Sequence, residues 1–281
     1  MNQKNSPKTH SISTREYQLI LARILKSFTD WLDEHDIRYT LAGGTLLGAI
    51  RHKGFIPWDD DVDISISRPD FEKLQEIKSL DVKDNLIICN KANNSSYPFI
   101  KICDPRYPVQ ENYLNTPNNQ HAWLDVFPVD GLPKSKLATK IHYAKVIFLR
   151  KLLCQRLLYK GSTRKSAKTK LKSIFKPITK KFVDLLPASY YANAIDKLSK
   201  KYDYATSDFV GNVVWGYGPQ EKLKKQDFEN KTAVLFEKNH YSAIASFDSH
   251  LSNIYGDYMQ LPPEKDRKNS QYRHKRHLIT V

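Results

Sequence analysis

The stretch LAGGTLLGAIRHKGFIPWDDDVDISIS, residues 41–67, restricts this chain more than any other. An apolar run, Tyr39 to Ala42, ends at Gly43-Gly44. A short helix-forming segment follows from Thr45 to Ile50, then a basic loop, Arg51-His52-Lys53, then a strand from Val62 to Ile66 that carries acids. Asp59, Asp61 and Asp63 occupy alternate positions. Side chains alternate along extended backbone, so the three carboxylates project to one side and Val62, Ile64 and Ile66 to the other. Carboxylates held close together repel one another and are costly to bury unpaired. A divalent cation resolves that conflict, and Mg²⁺ is held in this manner, with water and substrate phosphate completing its shell. An EF-hand reading fails because Ile66 stands where the calcium loop needs glycine.

The turn before the acids has its own chemistry. A helix that starts after Gly-Gly presents free backbone N–H groups and the positive end of its dipole, which suits a phosphate. Gly43, Gly44 and Thr45 are the candidate cradle, with Arg51 and Lys53 beside it as phosphate contacts and His52 as a weaker one. Lys101, in FIKIC, is a further candidate for binding substrate. Asp125 lies in the apolar run Trp123–Phe127, bounded by Pro128, where an acid is expensive without a partner. Asp125 therefore completes the candidate metal set Asp59, Asp61, Asp63 and Asp125. Asp130, before Gly131, reads as a turn residue.

The surrounding pattern is mixed α/β. Residues 1–12 read as a disordered tail, and residues 13–281 as one domain. Ser13 and Glu16 form a capping signal, and Tyr17, Ile20, Leu21, Ile24, Leu25, Phe28, Trp31 and Leu32 recur at helical spacing up to about His35. Pro69 opens a helix to Ile77, and Leu86–Cys89 and Phe99–Cys103 read as strands. A long helix is expected from Lys136 to about Tyr159, a basic segment from Lys160 to Lys181, and more helix to Tyr202. Val210–Trp215 reads as a short strand or buried turn, and the rest as loops and short helices. Cys89, Cys103 and Cys154 have no metal spacing and suit reduced thiols.

The net charge of +15 points to an anionic partner, and it is unevenly placed. Nineteen Lys and Arg and only two acids fall between Lys134 and Lys201, so that segment is +17 and the remainder −2. Leu149, Leu152, Leu153, Leu157, Leu158, Ile174, Phe175 and Ile178 interleave with these charges, as in a helix that lies on an anionic membrane. No nucleic-acid-reading motif is present. The polar N-terminus has no apolar signal region and no run is long enough to span a bilayer, so a cytoplasmic protein, peripheral on the inner membrane face, is the expectation.

GGTLLGAIRHKGFIPWDDDVDISISRPDFEKL, then WLDVFPVDGLP, then IYGDYMQLPPEKDR closely resemble the LicD family, the phosphorylcholine-transferase group that includes the fukutin-type enzymes. The resemblance runs from about residue 15 to 275 and is weakest over about 140–205. It implies a nucleotidyltransferase-like core sheet with an N-terminal helix and a basic helical region at about 134–205. The interval between the Gly-Gly turn and the acids is longer than in the general nucleotidyltransferase pattern. The resemblance implies transfer of phosphocholine or a polyol phosphate from a CDP-linked donor, CDP-choline first among them, to a sugar of a lipid-linked surface glycan, releasing CMP. Asp61 and Asp63 would hold Mg²⁺, with Asp59 and Asp125 alongside, and Asp125 would be the base. The competing readings are a conventional nucleotidyltransferase acting on a small molecule or RNA, and a basic membrane- or nucleic-acid-binding protein. The IYGDYMQLPPEKDR block, with Tyr255, Gly256 and Tyr258, would close over the site, and Arg267, His274 and His277 are further phosphate candidates.

Overall fold

The computed structural model describes residues 9–82, 84–110, 121–157, 183–267 and 277–279. The basic segment 160–181 and His274 lie outside them, as do residues 1–8 of the expected tail. Thr9–Ser11, assigned to that tail by sequence, is instead a strand, β1, paired with β11 (His277–Ile279). An edge partner contributed by the far end of the chain supplies the hydrogen bonds that a polar tripeptide cannot provide alone.

Helix α1 (Thr14–Glu34) starts where the capping signal places it: Ser13 accepts from the Glu16 N–H, and Glu16 accepts from the Ser13 N–H. Its apolar side packs on strands β5 (Ile100–Gln110) and β6 (His121–Leu132). The central strand order is β1-β11-β5-β6-β3-β2, with β2 at Tyr39–Leu41 and β3 at Asp63–Ser67. β4 (Ile87–Cys89) pairs with the start of β5. β7 (Phe209–Gly211) pairs with the end of β6, and β8 (Leu223–Lys224) with β7. The β3–β6 pair is parallel, and β2–β3 and β5–β6 are antiparallel. The result is the mixed α+β sheet expected from the sequence.

β6 runs past Pro128, its expected end. Its antiparallel partner up to Val126 is β5, and from Asp130 onward it is β7. Pro128 sits at this change of neighbours, where a missing N–H breaks little of the ladder. Asp130 is accordingly a fully buried strand residue and not a turn residue. It accepts from Arg68 Nε at 2.6 Å, and Arg68 Nη1 donates to Asp196 at 2.8 Å and to Glu72 at 3.0 Å. Arg68 opens α3 (Arg68–Gln75), so this buried group fastens α3 to the sheet and to helix α5 (Ala188–Ser199).

α4 (Lys136–Leu157) packs against α5 around a second apolar core that includes Tyr143, Val146, Leu153, Leu157 and Ile195. Leu153 and Leu157 are buried there, so they do not face a membrane as the interleaving suggested. The C-terminal third also departs from the expected loops and short helices. After the short α6 (Lys225–Glu229), strands β9 (Lys231–Phe236) and β10 (Asn239–Ile244) form a hairpin against β2 and helix α2 (Gly43–His52), and α7 (Phe247–Tyr255) follows. Cys89, Cys103 and Cys154 carry no disulfide. Among the described residues no helix is long and apolar enough to cross a membrane.

Candidate functional site

The site is built around the start of α2. Ala42 is extended and caps the helix without a side-chain bond, which leaves the first N–H groups of a ten-residue helix for a ligand. The helix begins at Gly43 itself, two residues earlier than expected. Both glycines are required by what lies beside them. Gly43 has φ +52°, and a Cβ there would stand 3.2 Å from Asp63 Oδ2. A Cβ on Gly44 would stand only 2.7 Å from Asp59 Oδ2. The turn is bare so that carboxylates can approach its backbone. Thr45, expected to meet substrate, is buried and accepts the Asp63 N–H at 2.9 Å, which fixes the start of β3.

β3 begins at Asp63, so only Asp63 belongs to the strand, and Asp59 and Asp61 lie in the segment that leads into it. All three nevertheless line one cavity, with Asp125. The lead-in is held from below by Gln18 of α1, whose Nε2 donates to the Ile56 and Asp59 carbonyls at 3.2 and 2.8 Å. Along β3 the alternation holds: Asp63 and Ser65 line the cavity, while Ile64 and Ile66 are fully buried in the apolar core.

Strand register then sets a row across the sheet. Asp63 is opposite Asp125, and Asp125 is opposite Lys101. Lys101 is 5% exposed, its Nζ is 3.2 Å from Asp125 Oδ1, and it stacks 3.9 Å from the Trp123 ring centre. It is therefore buried behind Asp125 and not turned to solvent, and it reaches the cavity only through that carboxyl. One lysine does not balance four acids. Burial, reinforced by the charge of Asp61, pushes Asp59 up to about 9. Burial and the charges of Asp61 and Asp125 hold Asp63 well above the carboxylate range. Burial raises Asp125 as well, against the opposing pull of Lys101. A set of hard oxygen donors whose mutual repulsion resists ionisation fits a divalent cation. Among the described residues no three such side chains converge as a finished ligand group, so the four acids share a cavity wall and not a preassembled cage.

The cavity holds about 590 Å³, within the range of small-molecule sites. Its far wall is Arg150 and Cys154 of α4, Asn212, Trp215, Tyr217 and Glu221. Tyr255 Oη donates to Tyr217 Oη at 2.8 Å, and Tyr217 Oη comes within 3.7 Å of the space above Gly43. Glu221 accepts the Tyr217 N–H, and burial pushes its carboxyl up to about 8. Arg150 donates to the Gly216 carbonyl at 2.9 Å and lies over Trp215.

Residues 36–140 match the nucleotidyltransferase domain described as LicD/FKTN/FKRP. Over that span the chain is similar to the LicD family. Over 262 residues the chain is 29% identical to the lipopolysaccharide cholinephosphotransferase LicD of Haemophilus influenzae, covering 92% of this chain and 95% of that protein. It is 42% identical over 113 residues to the mouse ribitol 5-phosphate transferase FKRP, covering 39% of this chain and 20% of that protein.

The LicD segment supplies the bare turn, the four acids and Lys101, while Arg150, Tyr217, Glu221 and Tyr255 come from outside it. Tyr255 belongs to the block expected to close over the site, but Arg150, Tyr217 and Glu221 had no sequence signal of their own, because three separated segments meet to form the wall. The LicD basic loop does not join them. Arg51 Nη1 donates to the Tyr258 carbonyl at 2.8 Å, His52 packs edge-on to Trp58, and the backbone carbonyl of Lys53 accepts from Glu237. None of the three lines the cavity. The IYGDYM block does reach the site, through Ile254 and Tyr255. Arg267 donates to the Pro262 carbonyl, and His277 lies in β11.

Proposed function

We propose that this LicD-like transferase moves a phospho-alcohol from a CDP-linked donor to a sugar hydroxyl of a cell-surface glycan and releases CMP. The carrying observation is that Asp63 and Asp125, with Lys101 beside Asp125, share one cavity with the bare start of α2. The named activities of the Haemophilus and mouse relatives, cholinephosphate and ribitol 5-phosphate transfer, support the phospho-alcohol class. CDP-choline is the first donor to test, and a lipid-linked glycan the first acceptor.

Asp59, Asp61, Asp63 and Asp125 would hold Mg²⁺ or another divalent cation. Bound there, it would neutralise phosphate oxygens as the phosphoryl group transfers. The N–H groups at Gly43 and Gly44 would bind a phosphate oxygen, with Thr45 fixing Asp63 beneath them. Asp125 takes the proton of the acceptor hydroxyl as its oxygen bonds to phosphorus and the bond to CMP breaks. Lys101 positions Asp125. Tyr217, Tyr255, Trp215 and Glu221 would surround the transferred alcohol, and an acid among aromatic rings suits a quaternary ammonium. In this reading the reaction takes place on the cytoplasmic side of a membrane, with the chain in peripheral contact with anionic lipid.

The test is a panel of CDP-choline, CDP-ethanolamine, CDP-glycerol and CDP-ribitol, each assayed for CMP release with Mg²⁺ and a glycan acceptor. CMP release from one of them is expected. Pyrophosphate from a nucleoside triphosphate, with no CMP from any member, would overturn the reading in favour of a conventional nucleotidyltransferase.

A further inference from the structure

α4 has two unlike sides. Thr139, His142, Tyr143, Val146, Leu153 and Leu157 are buried, which fixes the rotation of the helix. On the solvent side Leu137, Ile141, Ala144 and Phe148 follow one another at steps of four, three and four, so they form one line along the axis. Three of them are large and open: Leu137 is 68% exposed, Ile141 49% and Phe148 60%. The line runs about 16 Å at the helical rise. Leu149 and Leu198 of α5 widen it into a shallow trough.

The flanks decide what covers it. Lys136, Lys140, Lys145 and Lys151 are all exposed around the apolar line, and α4 contains no Asp or Glu. We infer that this side of α4 is the surface on which the chain lies against an anionic lipid bilayer. The apolar line enters the head-group boundary, and the lysine stems run along it with their ammonium groups among lipid phosphates. A flat array of anions over hydrocarbon matches both parts of this surface at once. A protein partner would need an apolar patch rimmed by carboxylates on every side.

The opposite consequence lies inside the molecule. Arg150 and Cys154 of the same helix line the candidate cavity. The bilayer would therefore lie about one helix diameter, roughly 10–12 Å, from the site. That last step rests on the transfer reading, whereas the lipid contact does not.

The test is co-sedimentation of the full chain with vesicles of phosphatidylcholine alone and of phosphatidylcholine mixed with phosphatidylglycerol. Binding only to the mixed vesicles, released by salt, is expected. An Ile141→Glu/Phe148→Glu double variant should lower the bound fraction about tenfold or more. Each of Lys140→Gln and Lys145→Gln should weaken binding about fivefold. Thermal melting and CMP release with a water-soluble acceptor should be unchanged in all of them. Equal binding by the double variant and the parent overturns the assignment and places the contact elsewhere in the basic region. Absence of binding by the parent overturns it outright. An oligomer that the double variant dissolves also overturns it, and makes this side an interface between copies. Loss of CMP release in every protein, with vesicle binding intact, would refute the transfer reading alone.

Discussion

Asp63 and Asp125 stand directly opposite each other on the parallel strands β3 and β6. The charge of Asp125 bears on Asp63, and burial drives both toward the neutral form. Two residues 62 positions apart thus act as one electrostatic unit. Asp63→Asn or Asp125→Asn should lower transfer about a thousandfold, the loss of several kcal/mol of charge stabilisation. The melting temperature of Asp63→Asn at neutral pH should hold or rise, because one of the crowded carboxyl groups is gone, whereas Asp125→Asn should lower it by removing the carboxylate paired with Lys101. Mg²⁺ should raise the melting temperature of the parent more than that of Asp63→Asn. Full activity in either variant would remove the acids from the chemistry.

Lys101 is the buried counterweight of Asp125. Lys101→Met keeps much of the packing on Trp123 but leaves the carboxylate uncompensated. A loss of about 3 kcal/mol in urea unfolding is expected. The double variant Lys101→Met/Asp125→Asn should recover most of it. If the double variant is as unstable as the single, packing and not charge holds Lys101 in place.

Gly44→Ala places a methyl group where Asp59 Oδ2 now approaches. The carboxylate must retreat from the head of α2. Transfer should fall by an order of magnitude or more, with little change in circular dichroism or thermal melting, since alanine favours helix over glycine. Unchanged turnover would show that the close approach of Asp59 is not used.

His250 lines the cavity and is held down to about 4, from 6.5, by burial alone. The unfolded chain takes up a proton below about pH 6.5, whereas the folded chain resists until about 4. Stability contributed by the neutral ring is therefore complete above 6.5 and is lost as pH falls through that window. Urea unfolding of His250→Asn should show a shallower decline between pH 6.5 and 4 than the parent. Parallel curves would locate the acid sensitivity elsewhere.

The sequence was informative wherever the physics is local. The Ser13–Glu16 cap, the apolar spacing of α1 and the alternation of Ile64 and Ile66 with Asp63 and Ser65 all depend on near neighbours, and all appear in the fold. Asp125 stood out because an acid in an apolar strand demands a partner. The identity of that partner depended on the register of β5 against β6, which long-range pairing decides. Asp130 departs from its local signal for the same reason: Asp-Gly favours a turn, and the guanidinium that overrides it comes from Arg68. Glu221, Tyr217 and Arg150 share a wall only because three distant segments fold together. Arg51 looked like a phosphate ligand by its neighbourhood in the chain, but its side chain is occupied by the carbonyls of the 258–260 turn.

Among the described residues there are two apolar cores, one under α1 and the sheet and one between α4, α5 and the β6 residues Phe127 and Leu132, and the candidate cavity draws its walls from both. Each core has its own free energy of opening. An opening confined to α4 and α5 would uncover Phe127 and Leu132 of β6 while leaving the β3–β6 ladder paired. In such an opening the row of acids keeps its alignment while the wall containing Arg150 swings away. The pairing of Asp63 with Asp125 would outlast the closure of the cavity around a ligand, so the row of acids can persist while the enclosure comes and goes.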